Sequence, residues 1–200
     1  LGDTLSNISE SIDWEPFRVI ISRFYKDNKE NGGRPHFDEI LMLKILVLCT
    51  GNSCRSIMAE GLLNHYGKGK FKAFSAGSAP SGKVHPRSLA TLQAHGMKAI
   101  GFESKSWDVF KDLVELDIVI TVCDNAAGEV CPVFYGTPVK GHWGAPDPAH
   151  FEGTDAEITA EFERVFAILE KRVKALVELD VDKLSREQLA AKLNEIGKYE

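Results

Sequence analysis

Apolar positions along the chain follow two rhythms, short unbroken runs and longer helical spacings. Leu43 to Leu48 is a short run rich in Ile, Leu and Val, which predicts a buried strand. From Ser56 to Tyr66 the residues Ile57, Met58, Gly61, Leu62 and Leu63 recur at helical spacing, with Gly67 as a stop signal. Phe71 to Ser75 predicts a second strand, ended by Ala76 and Gly77, and Ser78 to Val84 a Gly/Pro/Ser loop. His85 to His95 reads as a helix, with Pro86 at its start and Gly96 after its end. Lys98 to Lys105 is a loop, and Ser106 to Val114 a short helix carrying Trp107 and Phe110. Asp117 to Cys123 predicts a buried strand, Asp124 to Tyr135 a loop, Pro138 to His142 a shorter strand and Gly144 to Thr154 another loop. Ala156 to Leu179 is a long amphipathic helix on Phe162, Val165, Phe166, Leu169, Val173 and Leu176. A final helix, Ser185 to Ile196, starts with a capping pair, Ser185 and Gln188. Strands alternating with helices predict an α/β fold, a four-stranded parallel sheet flanked by helices on both faces.

Residues 1–42 follow a different pattern. Ser9 to Asp13 offers helix-capping residues, and Phe17, Ile20, Ile21 and Phe24 form an apolar face, with Pro16 tolerated in the first turn. Asn31 to Pro35 is a loop, and Phe37 to Leu43 a second short helix with Asp38 and Glu39 near its start. The expected organisation is a helical extension (1–42), an α/β domain (43–180) and a C-terminal helix (181–200).

Composition narrows the function classes. The chain is 44% hydrophobic and 26% charged with a net charge of −5, so no general polyanion-binding surface is expected. Residues 1–42 hold five Lys or Arg (Arg18, Arg23, Lys26, Lys29, Arg34) against eight Asp or Glu, which lacks the footprint of a nucleic-acid binder. No run approaches the roughly 20 apolar residues of a membrane span. No secretory pattern opens the sequence, so a cytoplasmic location is expected. Four cysteines, Cys49, Cys54, Cys123 and Cys131, point to reactive thiols in such a setting. Zinc is not expected: gaps of four and seven residues suit it poorly, and Arg55 lies beside Cys54. The histidines show no metal-ligand spacing.

The chemistry gathers between the first strand and the first helix of the domain. Cys49, five residues and Arg55 fill the junction, where free amides and a helix N-terminus make an anion site. Amides and Arg55 both favour a thiolate, so Cys49 is expected to ionise below the usual value of roughly 8.5. Arg55 supplies a planar fork suited to a tetrahedral oxyanion. Gly51 and Asn52 tolerate the angles of a curled loop, and Ser56 can donate to the sulfur. The expected site is a nucleophile, Cys49, at the floor of an oxyanion cradle made by Thr50, Gly51, Asn52, Ser53, Cys54, Arg55 and Ser56. Cys123 closes a second strand, and functional groups gather at the carboxyl ends of parallel strands, so Cys49 and Cys123 are expected to face one crevice. Small residues between Cys123 and Cys131 (Ala126, Ala127, Gly128) would permit rearrangement.

The loop Cys49-Thr50-Gly51-Asn52-Ser53-Cys54-Arg55-Ser56 resembles the Cys-x5-Arg signature of low-molecular-weight tyrosine phosphatases and of the arsenate reductases that share their fold. Thr121 to Gly128, Cys131-Pro132, His142-Trp143-Gly144 and Asp147-Pro148 resemble the thioredoxin-coupled reductases of that group, over about residues 44 to 178. The resemblance implies arsenate as substrate, no bound cofactor, and thioredoxin as external reductant. It implies a relay in which Cys49 attacks arsenate, Asp147 protonates the departing oxygen, Cys123 attacks Cys49, and Cys131 attacks Cys123. His142 and Trp143 read as packing at a strand end. Asp13 to Phe17 and Gly32 to Leu41 resemble the N-terminal region of insertion-sequence transposases. The whole then reads as an in-frame fusion through Leu41 to Leu48, with the strand expected to prevail from about Lys44.

Two alternatives use the same residues differently. A phosphatase would use the cradle on phosphate monoesters. Cys123 and Cys131 argue against that as the main activity, as does the lack of paired tyrosines after Asp147-Pro148. A DNA-binding or interaction module would rest on residues 1–42, whose acidic balance opposes it.

Overall fold

The apolar run that precedes Cys49 becomes the inner strand of a sheet. A computed structural model describes residues 42–111, 115–123 and 138–200. The helices expected before residue 42, the loop Asp124 to Tyr135 and Cys131 lie outside these residues. Four strands are described: β1 (Leu43–Cys49), β2 (Phe71–Gly77), β3 (Ile118–Thr121) and β4 (Val139–His142). Their order is β2-β1-β3-β4 and every pairing is parallel. Ile45 to Cys49 are all buried, because β1 has a strand on each side and apolar layers on both faces.

Four α-helices are described: α1 (Arg55–Tyr66), α2 (Pro86–Ala94), α3 (Asp155–Glu178) and α4 (Arg186–Ile196). The larger core cluster joins Ile45 and Val47 to Ile57, Leu62 and Leu63 of α1, to Phe162, Phe166 and Leu169 of α3, and to Leu189 and Leu193 of α4. The other side of β1, Leu46 and Leu48, packs with Phe110 and Trp107 of a 3-10 helix, Trp107–Phe110. That short turn stands where the spacing predicts a helix from Ser106 to Val114; Ser106 caps it, and residues 112–114 are not described. Capping pairs start α3 (Thr154 with Glu157) and α4 (Ser185 with Gln188), the second as expected.

The bounds of β3 and β2 differ from expectation for local reasons. β3 begins at Ile118 because the Asp117 carboxylate, rather than a ladder carbonyl, accepts the Lys44 N–H at 2.7 Å. It ends at Thr121, which releases Cys123 toward the crevice. β2 runs on to Gly77 because Ala76 and Gly77 still pair with Leu48 and Cys49. A side chain at 77 would meet the Thr50 carbonyl at 2.3 Å, so glycine lets the strand pass under the cysteine loop.

Candidate active site

The loop from Cys49 to Arg55 takes its shape from neighbours that draw its carbonyls outward. The amides of Ser78, Ala79, Ser81 and His85 donate to the carbonyls of Cys49, Thr50, Gly51 and Ser53 at 2.9–3.3 Å. In a planar trans peptide the next N–H points opposite to the carbonyl. The amides of Thr50, Gly51, Asn52 and Cys54 are therefore turned to the inner side, where one, Asn52 N–H, donates to Cys49 Sγ at 3.0 Å. This is an anion-binding concavity of backbone amides, continued by the first turn of α1.

The concavity opens into a cavity of about 540 Å³ lined by Cys49, Thr50, Gly51, Ser53, Cys54, Arg55, Ser81, Cys123, Asp147, Ala149 and His150. Cys49 and Cys123 thus share one crevice, as strand order requires. Thr50 Oγ1 lies 3.6 Å from Cys123 Sγ, linking the two strand ends. Arg55 spans to the far wall: Nη1 donates to Ala145 O at 2.9 Å and Nη2 to Asp147 Oδ2 at 2.5 Å. Asp147 caps the 3-10 helix Pro148–His150, accepting the Ala149 N–H at 3.1 Å, so it is both a turn residue and a cavity wall.

Asn52 and Ser56 sit behind the sulfur rather than on the cavity wall. Ser56 Oγ lies 3.0 Å from Cys49 Sγ. Asn52 takes a left-handed φ of 44° and is fully buried. Its amide nitrogen donates to Ser56 and Ser75, and its oxygen accepts the Lys105 N–H. Ser75 in turn donates to the Glu60 carboxylate at 2.5 Å. Sequence reasoning missed Glu60, Ser75, Ser81 and His150, since none stands in the Cys-x5-Arg run.

A model for low molecular weight phosphotyrosine protein phosphatase matches residues 44–192. The chain belongs to that family. Its similar relatives carry the name arsenate reductase. One from Halalkalibacterium halodurans is 39% identical over 135 residues, covering 67% of this chain and 94% of that protein. One from Bacillus subtilis is 36% identical over 136 residues, with the same coverage. A solved structure described as an arsenate reductase in the phosphate binding state is 32% identical, covers 68% of this chain and 97% of that chain, and superposes with a TM-score of 0.56. A second family model, a transposase domain (DUF772), matches residues 1–60. The two matches share residues 44–60, and there the chain is folded as strand β1, the cysteine loop and the start of α1.

One expectation for this phosphatase-family site is overturned. Burial pushes the Cys49 thiol above its ordinary value; Ser56 and the Asn52 amide pull it down, Cys123 adds to the rise, and Arg55 acts least. The physical reason is the burial of the sulfur, and the guanidinium, engaged with Ala145 and Asp147, does little to offset it. Burial likewise raises the Cys54 thiol. His142 and Trp143 do close a strand end as expected. The Trp143 ring is fully buried and its Nε1 donates to Leu193 O, and His142 Nδ1 lies 2.8 Å from Thr121 Oγ1. Among the described residues no His, Cys, Asp and Glu cluster has the makings of a metal site, and no helix is long and apolar enough to cross a membrane.

Proposed function

We propose that the chain reduces arsenate to arsenite by a cysteine relay. The observation that carries this reading is one cavity lined by an amide cradle, Arg55, Asp147 and three cysteines, of which Cys54 lies within the cradle and Cys49 and Cys123 follow the ends of the neighbouring strands β1 and β3. A phosphate ester hydrolase needs a single thiol; a further thiol brought to the same cavity from another strand suits redox chemistry. The oxyanion enters the cradle and takes Arg55 from Asp147, as a bidentate partner for the guanidinium. The dianion accepts the Cys49 proton, and the thiolate attacks arsenic. Asp147, freed from Arg55, relays that proton to an arsenic-bound hydroxyl, which leaves as water, so the dianion and the thiol give a Cys49–arsenic(V) bond and one water.

Cys123 thiolate then attacks Cys49 Sγ. The sulfur–sulfur bond forms, the sulfur–arsenic bond breaks, and its electron pair stays on arsenic as arsenite. Cys131 thiolate attacks Cys123 and frees Cys49, and thioredoxin returns two electrons to the Cys123–Cys131 disulfide. Thr50 Oγ1 stands at hydrogen-bond distance from the Cys123 sulfur. The same cradle accepts phosphate monoesters as a side reaction through Cys49, Arg55 and Asp147 alone.

The test is arsenite formation from arsenate with thioredoxin, thioredoxin reductase and NADPH, beside hydrolysis of p-nitrophenyl phosphate. The relay requires one NADPH consumed per arsenite. Ester hydrolysis without arsenite formation refutes the reductase reading and leaves a phosphatase.

A further inference from the structure

Arg172 is the one charged side chain among the buried residues described, at 4% exposure. It stands on α3, away from the cavity wall. Among the described residues its hydrogen bonds go to carbonyls: Nη1 donates to Trp143 O at 2.9 Å and Gly144 O at 3.0 Å, and Nε to Tyr199 O at 2.9 Å. A buried guanidinium without a hydrogen-bonded carboxylate is an expensive way to hold a helix to its surroundings.

Its acceptors explain the arrangement. Trp143, Gly144 and Ala145 are consecutive, and the third carbonyl is held by Arg55 from the other side. Two arginines therefore grip three successive peptides of the segment that ends in Asp147. Other anchors of that segment, besides the bonds of Asp147 to Arg55 and Ala149, are Trp143 N–H to Thr121 O, Ala145 N–H to Val122 O, and the Trp143 indole to Leu193 O. Of these, the Ala145 N–H acts on the Gly144–Ala145 peptide, and the Trp143–Gly144 peptide is gripped, among the described bonds, through its carbonyl by Arg172.

We propose that Arg172 is a positioning residue for the acid loop, setting the Trp143–Gly144 backbone and through it the place of Asp147. The Tyr199 carbonyl fixes the guanidinium from behind, so the segment after α4 belongs to the support of the site. This inference rests on the reading of Asp147 as the acid. A displaced acid harms a reaction in proportion to how much its leaving group needs a proton. Phenolate, with a conjugate acid near pKa ~10, needs one far more than p-nitrophenolate does.

The test uses full-length Arg172→Met and Arg172→Lys, with Asp147→Asn as reference, on phenyl phosphate and p-nitrophenyl phosphate. Lysine keeps the charge but offers a point rather than a fork, so it carries the test if the methionine variant fails to fold. The expected result is a fall of about tenfold or more in kcat on phenyl phosphate, with KM unchanged and p-nitrophenyl phosphate hydrolysis lowered less than about threefold. In parallel, amide exchange at Ala145 and Ala149 should quicken about tenfold while Leu46 in β1 keeps its rate. Equal losses on both esters, or unchanged exchange at both alanines, overturn the inference. If the wild type cleaves neither ester and reduces no arsenate, the proposed function fails on its own, and the exchange rates alone decide what Arg172 positions.

Discussion

The guanidinium of Arg55 lies 2.5 Å from the carboxylate of Asp147, across a cavity that also exposes Cys49 and Cys123. Two of the groups proposed to handle the oxyanion thus neutralise each other. Oxyanion binding is then an exchange of partners, in which Arg55 leaves one carboxylate for the incoming anion.

Replacing Asp147 with Asn should turn Arg55 toward the cradle. An opposite charge drawn near a thiol lowers its pKa, so iodoacetamide should alkylate Cys49 at pH 7 at least about threefold faster than in the wild type. Arsenate turnover should fall about 10²-fold or more for want of the acid. In the wild type, where burial raises the thiol, the alkylation rate should still be climbing at pH 9.0. A wild-type rate that levels off near neutral pH would contradict this account of the sulfur.

The relay separates the cysteines by activity. Cys49→Ser should abolish arsenate reduction and ester hydrolysis together, since no hydroxyl ionises in this loop near neutral pH. Cys123→Ser and Cys131→Ser should stop arsenate turnover yet leave p-nitrophenyl phosphate hydrolysis within about threefold of the wild type, because that reaction needs a nucleophile, a cradle and an acid only. Loss of both activities in folded variants would assign those cysteines to structure.

Asn52 combines a left-handed backbone with three buried side-chain hydrogen bonds. Asn52→Ala should destabilise the domain by about 2–3 kcal/mol, because Lys105 N–H loses its acceptor and Ser56 and Ser75 lose a donor. Asn52→Gly removes the same bonds but suits the backbone, and should cost roughly 1 kcal/mol less. Urea midpoints of the two variants decide it: equal midpoints would remove backbone conformation as a reason for Asn.

Glu60 offers a pH signature. Burial pushes its carboxyl up, against the pull of the Ser75 hydrogen bond and of Lys105 and Lys72. The folded chain therefore holds that proton more tightly than the unfolded chain. The contribution is fully present below the unfolded carboxyl range, about pH 4, and is lost as pH rises through the raised folded value. Glu60→Gln removes this loss, so its urea midpoint should exceed that of the wild type at pH 7 and match it near pH 4. The reverse order at pH 7 would mean that the charge itself holds the Ser75–Asn52 chain together.

Much of this was legible in the residues. Leu43 to Cys49 reads as a buried strand because a strand with neighbours on both sides and apolar layers on both faces has no polar face to alternate with. Cys49, Arg55 and Cys123 were legible because parallel strands deliver their ends to one crevice. The partner of Arg55 was not: spacing shows that a guanidinium follows a cysteine, but not that a loop 92 residues on supplies a carboxylate for it. The sign of the Cys49 shift was misjudged because spacing does not show how deeply the sulfur is buried. Glu60, Ser75 and Arg172 escaped because each sits in an ordinary amphipathic or strand pattern and gains its role only through contacts across the fold.

The parallel direction of β1 has a practical consequence for handling the molecule. Leu43 and Cys49 stand at opposite ends of that strand, about six residue steps or roughly 20 Å apart. Met42 therefore stands beside the end of the strand that is remote from the sulfur. A surface linker, an affinity handle or a reporter attached there would leave the mouth of the crevice facing away from its anchor. An immobilised form coupled through that end should keep the turnover of the protein in solution, whereas coupling through Ser81 or His150 on the cavity wall should block it.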